Sequence, residues 1–219
     1  LNNKMFDIQK IRADFPILSQ KINGKPLIYF DNGATSQKPK VVTDAIANYY
    51  NTINANIHRG VHTLSQLATD AYEASRQKAQ NHINAKHLYE VVFTSGTTHS
   101  INIDANGFAK FLKPNDEVLV SALEHHSNIV PWQMLCERTG AALQVIPMNE
   151  AGELELSQLD VLLTLKTKIV AVNHISNALG TINPIKTIIE KAHIVGAAVL
   201  IDGSQAVPHL KPNVQELDC

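Results

Sequence analysis

The sequence predicts an α/β fold built on a largely parallel sheet. Two observations lead there: short β-rich runs alternate with amphipathic stretches from Tyr89 onward, and each connection is long enough for a crossover. The predicted strands are 90–94, Glu117–Ser121, 143–147, 168–173 and Ala198–Asp202. The predicted helices between them are 98–112, 128–139, 156–163 and 184–195. Pro184 suits the first turn of the last helix and Gly196 its stop. Ahead of Tyr89 the chain reads as helix. Pro39 opens a helix over 40–50, a second covers about 64–83, and 8–15 forms a small helix outside the main layer. The run 27–30 is the strand-like exception. No repeat, low-complexity segment or Pro/Gly/Ser-rich linker marks an internal boundary, so an N-terminal arm over 1–20 and one domain over 21–219 are expected.

Composition bounds the function. Hydrophobic residues make up 44% and charged residues 18% of 219 residues, the proportions of a compact globular protein. The 19 Lys and Arg nearly balance the 20 Asp and Glu, giving a net charge of −1 and no drive toward nucleic acid or anionic lipid. No apolar run is long enough to span a bilayer, and the first ten residues lack the apolar block of a signal peptide, so no membrane association and a cytoplasmic location are expected. Met5 reads as a natural start, with residues 1–4 carrying no weight. Cys136 and Cys219 are the two cysteines, and reduced thiols fit them better than a disulfide framework. Cys136 lies in an apolar pattern and reads as a packed thiol rather than a nucleophile.

Four segments carry candidate chemistry. Ser95-Gly96-Thr97-Thr98 follows a predicted strand and opens a helix. Free N–H groups, a glycine and hydroxyls there form a phosphate cradle, although an ordinary N-cap with a glycine turn explains the same tetrapeptide. It matches neither a Walker A loop nor a dinucleotide fingerprint. The apolar strand ending in Asp202-Gly203-Ser204-Gln205 puts a carboxylate where α/β folds bind ligands, able to keep a ring nitrogen protonated. Capping of the next turn is the alternative for Asp202, and Gln205 offers an amide nearby. In Glu124-His125-His126-Ser127-Asn128 an imidazole at a strand end can stack on a planar cofactor and move protons. A metal site is disfavoured, because adjacent histidines point differently and no second cluster has ligand spacing. In the loop from Asn173 to Gly180 an Asn can bind a ring oxygen or a carboxylate, or the loop is a plain polar connection. All four fall at the carboxyl ends of predicted strands or on the helix starts that follow. A fifth segment, Asn56 to His62, brings imidazole and guanidinium into a turn ahead of a long helix, and composition does not decide its role.

Together these blocks resemble the class V aminotransferase family, and within it the cysteine desulfurases of the Suf type, with selenocysteine lyase as the near relative. The resemblance runs from Ile11-Arg-Ala-Asp-Phe-Pro through Asp31-Asn-Gly-Ala-Thr-Ser, His58-Arg-Gly-Val-His, Phe93-Thr-Ser-Gly-Thr-Thr, Glu124-His-His-Ser-Asn-Ile-Val-Pro-Trp-Gln and Ser176-Asn-Ala-Leu-Gly to Asp202-Gly-Ser-Gln-Ala-Val-Pro-His. It implies the three-layer α/β/α large domain of fold-type I pyridoxal 5'-phosphate (PLP) enzymes, cut before the C-terminal small domain. By the same resemblance Asp202 pairs with the pyridine nitrogen, Gln205 with the ring hydroxyl, His125 stacks on the ring, and Thr97 and Thr98 bind the phosphate. Asn177 helps hold the substrate carboxylate, and Asn32, Gly33, Ala34 and His58 border the substrate. His125 and Asp202 are the implied catalytic residues.

The implied activity converts L-cysteine, or L-selenocysteine, to alanine and leaves the sulfur as an enzyme persulfide for iron–sulfur cluster assembly. A homodimer and a sulfur-acceptor protein are the implied partners. The family's Schiff-base lysine follows in a Ser-x-His-Lys segment that these residues lack, and the nucleophilic cysteine belongs further on. The chain therefore resembles an N-terminal part that is inactive alone, with a non-catalytic cofactor-binding fragment or another class V reaction as the alternatives. Gly33 stands where the family often has Ala, and His99 where an acidic residue usually follows the two threonines.

Overall fold

The computed structural model describes residues 6–219. The reading of Met5 as a start, with residues 1–4 ahead of it, lies outside the described residues. The chain divides into two compact units, Leu1–Arg76 and Gln77–Cys219, the division falling within one long helix.

In the first unit, helix α1 (Ile8–Ala13) starts where the Asp7 carboxylate accepts from the Lys10 N–H at 3.0 Å. Helices α2 (Lys40–Thr52) and α3 (Thr63–Ile83) appear where the sequence predicts them. The run 27–30 forms no strand. Pairing occurs just before it, between β1 (Lys21–Ile22) and β2 (Lys25–Pro26). The reason is the intervening Asn23-Gly24, whose φ of 52° and 77° suit the left-handed turn that closes a two-residue hairpin. A single bond from Leu27 N–H to the Gln20 carbonyl, 3.0 Å, ends the ladder.

The second unit holds a four-stranded parallel sheet in the order β4 (Ala142–Ile146), β3 (Glu117–Ser121), β5 (Thr167–Asn173), β6 (Ala198–Asp202). Alternation along the central strands assigns the two faces. Leu119, Val170 and Val172 pack with Ile185, Ile188 and Ile189 of α7 (Ile185–Ile194) and with Leu159 of α6 (Leu159–Leu162). Val118, Val120, Ile169 and Ala171 turn the other way, onto Ile101 and Ala105 of α4 (Thr97–Phe108) and Trp132 and Leu135 of α5 (Val130–Thr139). Helices on both faces make this the predicted three-layer α/β/α arrangement. A one-turn helix, α8 (Val214–Leu217), follows β6.

One predicted strand is absent. Residues 90–94 run from a 3-10 turn, Leu88–Glu90, into extended backbone that pairs with no strand among the described residues. Their β-rich composition suits a ladder, but neither edge strand of the sheet, β4 or β6, pairs with them. Helix α4 also stops four residues short of the predicted 112. Cys136 lies in the α5 core, and burial, with the neighbouring Glu137 charge, pushes its thiol up to about 11, so it packs as a neutral group.

Candidate functional site

The polar residues gather where the parallel strands end. Asp202 closes β6, an otherwise apolar strand, and is only 7% exposed. A carboxylate so enclosed needs donors, and the following turn provides them. Ser204 N–H reaches Asp202 Oδ1 at 2.9 Å and Ser204 Oγ reaches the same oxygen at 2.5 Å. Ser204 Oγ also lies 2.9 Å from Thr97 Oγ1, so one hydroxyl links the strand end to the first residue of α4. Thr97, Asp202, Ser204, Ser100, Ala206 and His174 line a cavity of about 520 Å³. Burial pushes the His174 imidazole down, toward the neutral form.

The start of α4 has the features of an anion cradle. Gly96 stands at the N-cap with φ 140° and ψ 172°, a conformation open to glycine, and no side chain caps the helix there. A Cβ built at Gly96 would meet nothing within 4 Å, so the space beside Gly96 is clear. The loop is braced from behind by Thr94 Oγ1, which accepts from Gly96 N–H at 3.3 Å, and by His99 Nδ1, which accepts from Ser95 N–H at 3.3 Å. Thr98 follows in the exposed first turn.

His125 caps a 3-10 turn, His126–Asn128, at the end of β3. Its Nδ1 accepts from Ser127 N–H at 3.1 Å and lies 2.8 Å from Ser127 Oγ. A neutral imidazole accepting at Nδ1 carries its proton on Nε2. The His126 ring is tilted by 54° and stands 6.1 Å away. His125 and Asn177, both exposed, line a second cavity of about 390 Å³ with Glu124, Met148 and Ser176. Thus Thr97 and Asp202 share one cavity and His125 and Asn177 another. Gln205 lies half-buried in the turn after β6.

A buried network runs from the second cavity to the strand end beside Asp202. Glu124 Oε1 accepts from Ser121 Oγ at 2.5 Å and from Asn173 N–H at 2.8 Å, and its Oε2 accepts from Asn128 Nδ2 at 2.7 Å. Trp132 Nε1 donates to Asn128 Oδ1 at 2.9 Å. Asn173 ends β5 directly beside Asp202 in the strand register. Burial pushes Glu124 up to about 7; its three hydrogen bonds oppose the rise and the Asp202 charge adds to it. Sequence reasoning weighed Glu124 only as a metal ligand and gave Ser204 no role. The signal was present for Glu124: Ser121, Glu124 and Asn128 are spaced three and four apart at the end of an apolar strand.

The remaining expected residues belong to the first unit. Asn32, Gly33 and Ala34 form an exposed turn closed by Thr35 N–H to the Asp31 carbonyl at 3.0 Å, with Tyr29 Oη donating to the Thr35 carbonyl at 2.8 Å. His58 takes φ 66°, its N–H held by Thr69 Oγ1 at 2.9 Å and its Nε2 standing 3.3 Å from Glu73 Oε1. Gly60 is required there, since a Cβ would lie 2.3 Å from Ser65 Oγ.

A parallel sheet covered on both faces, with its polar groups collected at the carboxyl rim, is the architecture of an α/β ligand-binding domain. The chain belongs to the aminotransferase class-V family, whose profile matches residues 28–219. It is 51% identical, over 98% of its length, to a cysteine desulfurase of Synechococcus elongatus, of which it covers 34%. It is 48% identical to a cysteine desulfurase of Pectobacterium atrosepticum, with coverage of 98% of this chain and 53% of the relative. Among solved structures it superimposes on the apo cysteine desulfurase of Thermococcus onnurineus with a TM-score of 0.90 at 39% identity, covering 97% of this chain and 51% of that one. The Escherichia coli cysteine desulfurase CsdA gives 0.83 at 34% identity, covering 98% and 53%. The chain thus spans about a third to a half of the length of these relatives. Among the described residues no helix is long and apolar enough to cross a membrane.

Proposed function

We propose that this chain is part of a PLP-dependent cysteine desulfurase that takes the sulfur of L-cysteine onto an enzyme cysteine as a persulfide and releases L-alanine. The observation that carries the reading is the Asp202–Ser204–Thr97 connection: a buried carboxylate and an uncapped helix start face one cavity. That donor set fits the cofactor. The clear space over Gly96 suits a phosphate group on the first-turn N–H groups with Thr97 and Thr98, and the Asp202 carboxylate suits a protonated ring nitrogen. When bound, PLP supplies an electron sink for the substrate carbon framework.

Each residue then has a defined task. Asp202 keeps a proton on the ring nitrogen, and Gln205 offers an amide to the ring hydroxyl. His125 presents a flat ring for stacking and holds a proton at Nε2, from which it can be delivered. Asn177 binds the substrate carboxylate, with the Asn32–Ala34 turn and His58 bordering the substrate. The reading treats 1–20 as an arm and 21–219 as part of the PLP-binding domain. It assigns no residue of this chain to the cofactor lysine or the sulfur-accepting cysteine, so the 219 residues alone are inactive in it. The whole enzyme works in the cytoplasm as a homodimer and passes sulfur to an acceptor protein for iron–sulfur cluster assembly.

The test is alanine release from L-cysteine by the full-length protein reconstituted with PLP, alongside its Asp202→Ala variant. Turnover in the variant is expected to fall by about a hundredfold or more while the fold persists, since proton placement in the transition state is lost. Wild-type turnover would remove Asp202 from the mechanism. Turnover with L-selenocysteine but not L-cysteine would make the enzyme a selenocysteine lyase.

A further inference from the structure

In the wall of the second cavity, Glu124 is a buried acid to which the proposed chemistry gives no task. Its three partners are not equivalent. Asn173 offers a backbone N–H and can only donate. Asn128 is locked in orientation because Trp132 Nε1, also a donor only, occupies its carbonyl oxygen; its amide nitrogen must therefore face Glu124. Ser121 alone can either donate or accept, its Oγ also accepting from Leu123 N–H at 3.2 Å. The cluster thus demands an acceptor on both oxygens of residue 124, which a carboxyl group meets and an amide does not.

The same three contacts join separate pieces of the rim. Ser121 ends β3, Asn173 ends β5 at the register position of Asp202, and Asn128 closes the turn that begins at His125, its N–H donating to the His125 carbonyl at 2.8 Å. We propose that Glu124 is a positioning residue: its carboxyl ties the His125 turn to the end of β5 beside Asp202, and so sets where the imidazole stands relative to that carboxylate. The inference rests on the reading of His125 and Asp202 as cofactor-contacting groups.

Hydrogen-bond polarity supplies the test. Glu124→Gln sets an amide N–H against either Asn128 Nδ2 or the Asn173 N–H. Adding Asn128→Asp restores every pairing, because the new amide at position 124 can then donate to one oxygen of the new carboxylate at position 128 while the other oxygen accepts from Trp132. Two readouts are taken on the full-length protein: the PLP dissociation constant, by titration of the apoprotein, and the His125 ring-nitrogen resonances of the apoprotein by NMR. Glu124→Gln is expected to weaken PLP binding about tenfold or more and to shift the His125 signals, with the swapped pair recovering both to within about threefold. Wild-type affinity and unshifted His125 signals in Glu124→Gln would overturn the proposal. So would a swapped pair that recovers thermal stability but neither readout, since the carboxylate would then act by its charge. If Glu124→Gln does not fold, the swapped pair and Ser121→Ala, which removes one bond, carry the same comparison. Failure of the underlying reading is separate: an Asp202→Ala protein with unaltered PLP affinity would sink it, while the His125 resonances would still report on Glu124.

Discussion

At Glu124 burial and hydrogen bonding pull in opposite directions, and burial wins, raising the carboxyl from 4.5 to about 7. The folded protein therefore retains a proton that the unfolded chain releases. Its contribution to stability is fully present below pH 4.5 and is lost as pH rises through about 7. The loss is on the order of 3 kcal/mol for a shift of this size. Urea unfolding between pH 5 and pH 8 should show this decline in the wild type and its absence in Glu124→Gln. Parallel profiles would mean that another group titrates. Gly96 is a second residue whose chemistry is decided by its backbone, since φ 140° excludes other side chains. Gly96→Ala should cost about 1–3 kcal/mol of stability by urea titration and weaken phosphate binding to the α4 start. An unchanged midpoint would mean that the loop relaxes without strain.

Among the elements, α7 shows how one helix divides its work. Ile188 is fully buried against the sheet, whereas Ile194 on the last turn is 83% exposed. Ile188→Ala should lose about 2–5 kcal/mol and Ile194→Ala less than about 0.5 kcal/mol by chemical denaturation. Equal losses would contradict the assignment of faces. The same periodic logic made β3, β5, β6 and most helices legible, because apolar alternation and Pro or Gly punctuation are local. Residues 90–94 carried a strand-like composition and formed none, since a strand also needs a partner that the tertiary fold brings alongside it, and neither edge strand pairs with them. The Asn23-Gly24 turn was a readable hairpin signal, and it moved the pairing ahead of the apolar run 27–30.

For the whole molecule, the apolar surface left uncovered is substantial in each unit. Ile28 and Phe30 in the first, and Val92, Val161 and Leu165 in the second, are all more than 70% exposed. β4 and β6 both present open edges. The 219-residue chain expressed alone should self-associate, its weight-average mass by sedimentation rising with concentration. A concentration-independent monomer mass would show that these surfaces are inert.

Taken alone, the sequence determined the α/β class, the parallel crossovers and the placement of polar residues at strand ends, because these follow from side-chain periodicity and turn chemistry within a few residues. The tertiary structure decided which of those residues meet. It joined Thr97 to Asp202 through Ser204, gave His125 and Asn177 a separate cavity, and enclosed Glu124 among three donors from three elements. Such outcomes depend on contacts between residues far apart in the chain, where burial and donor geometry, rather than local pattern, set the energy.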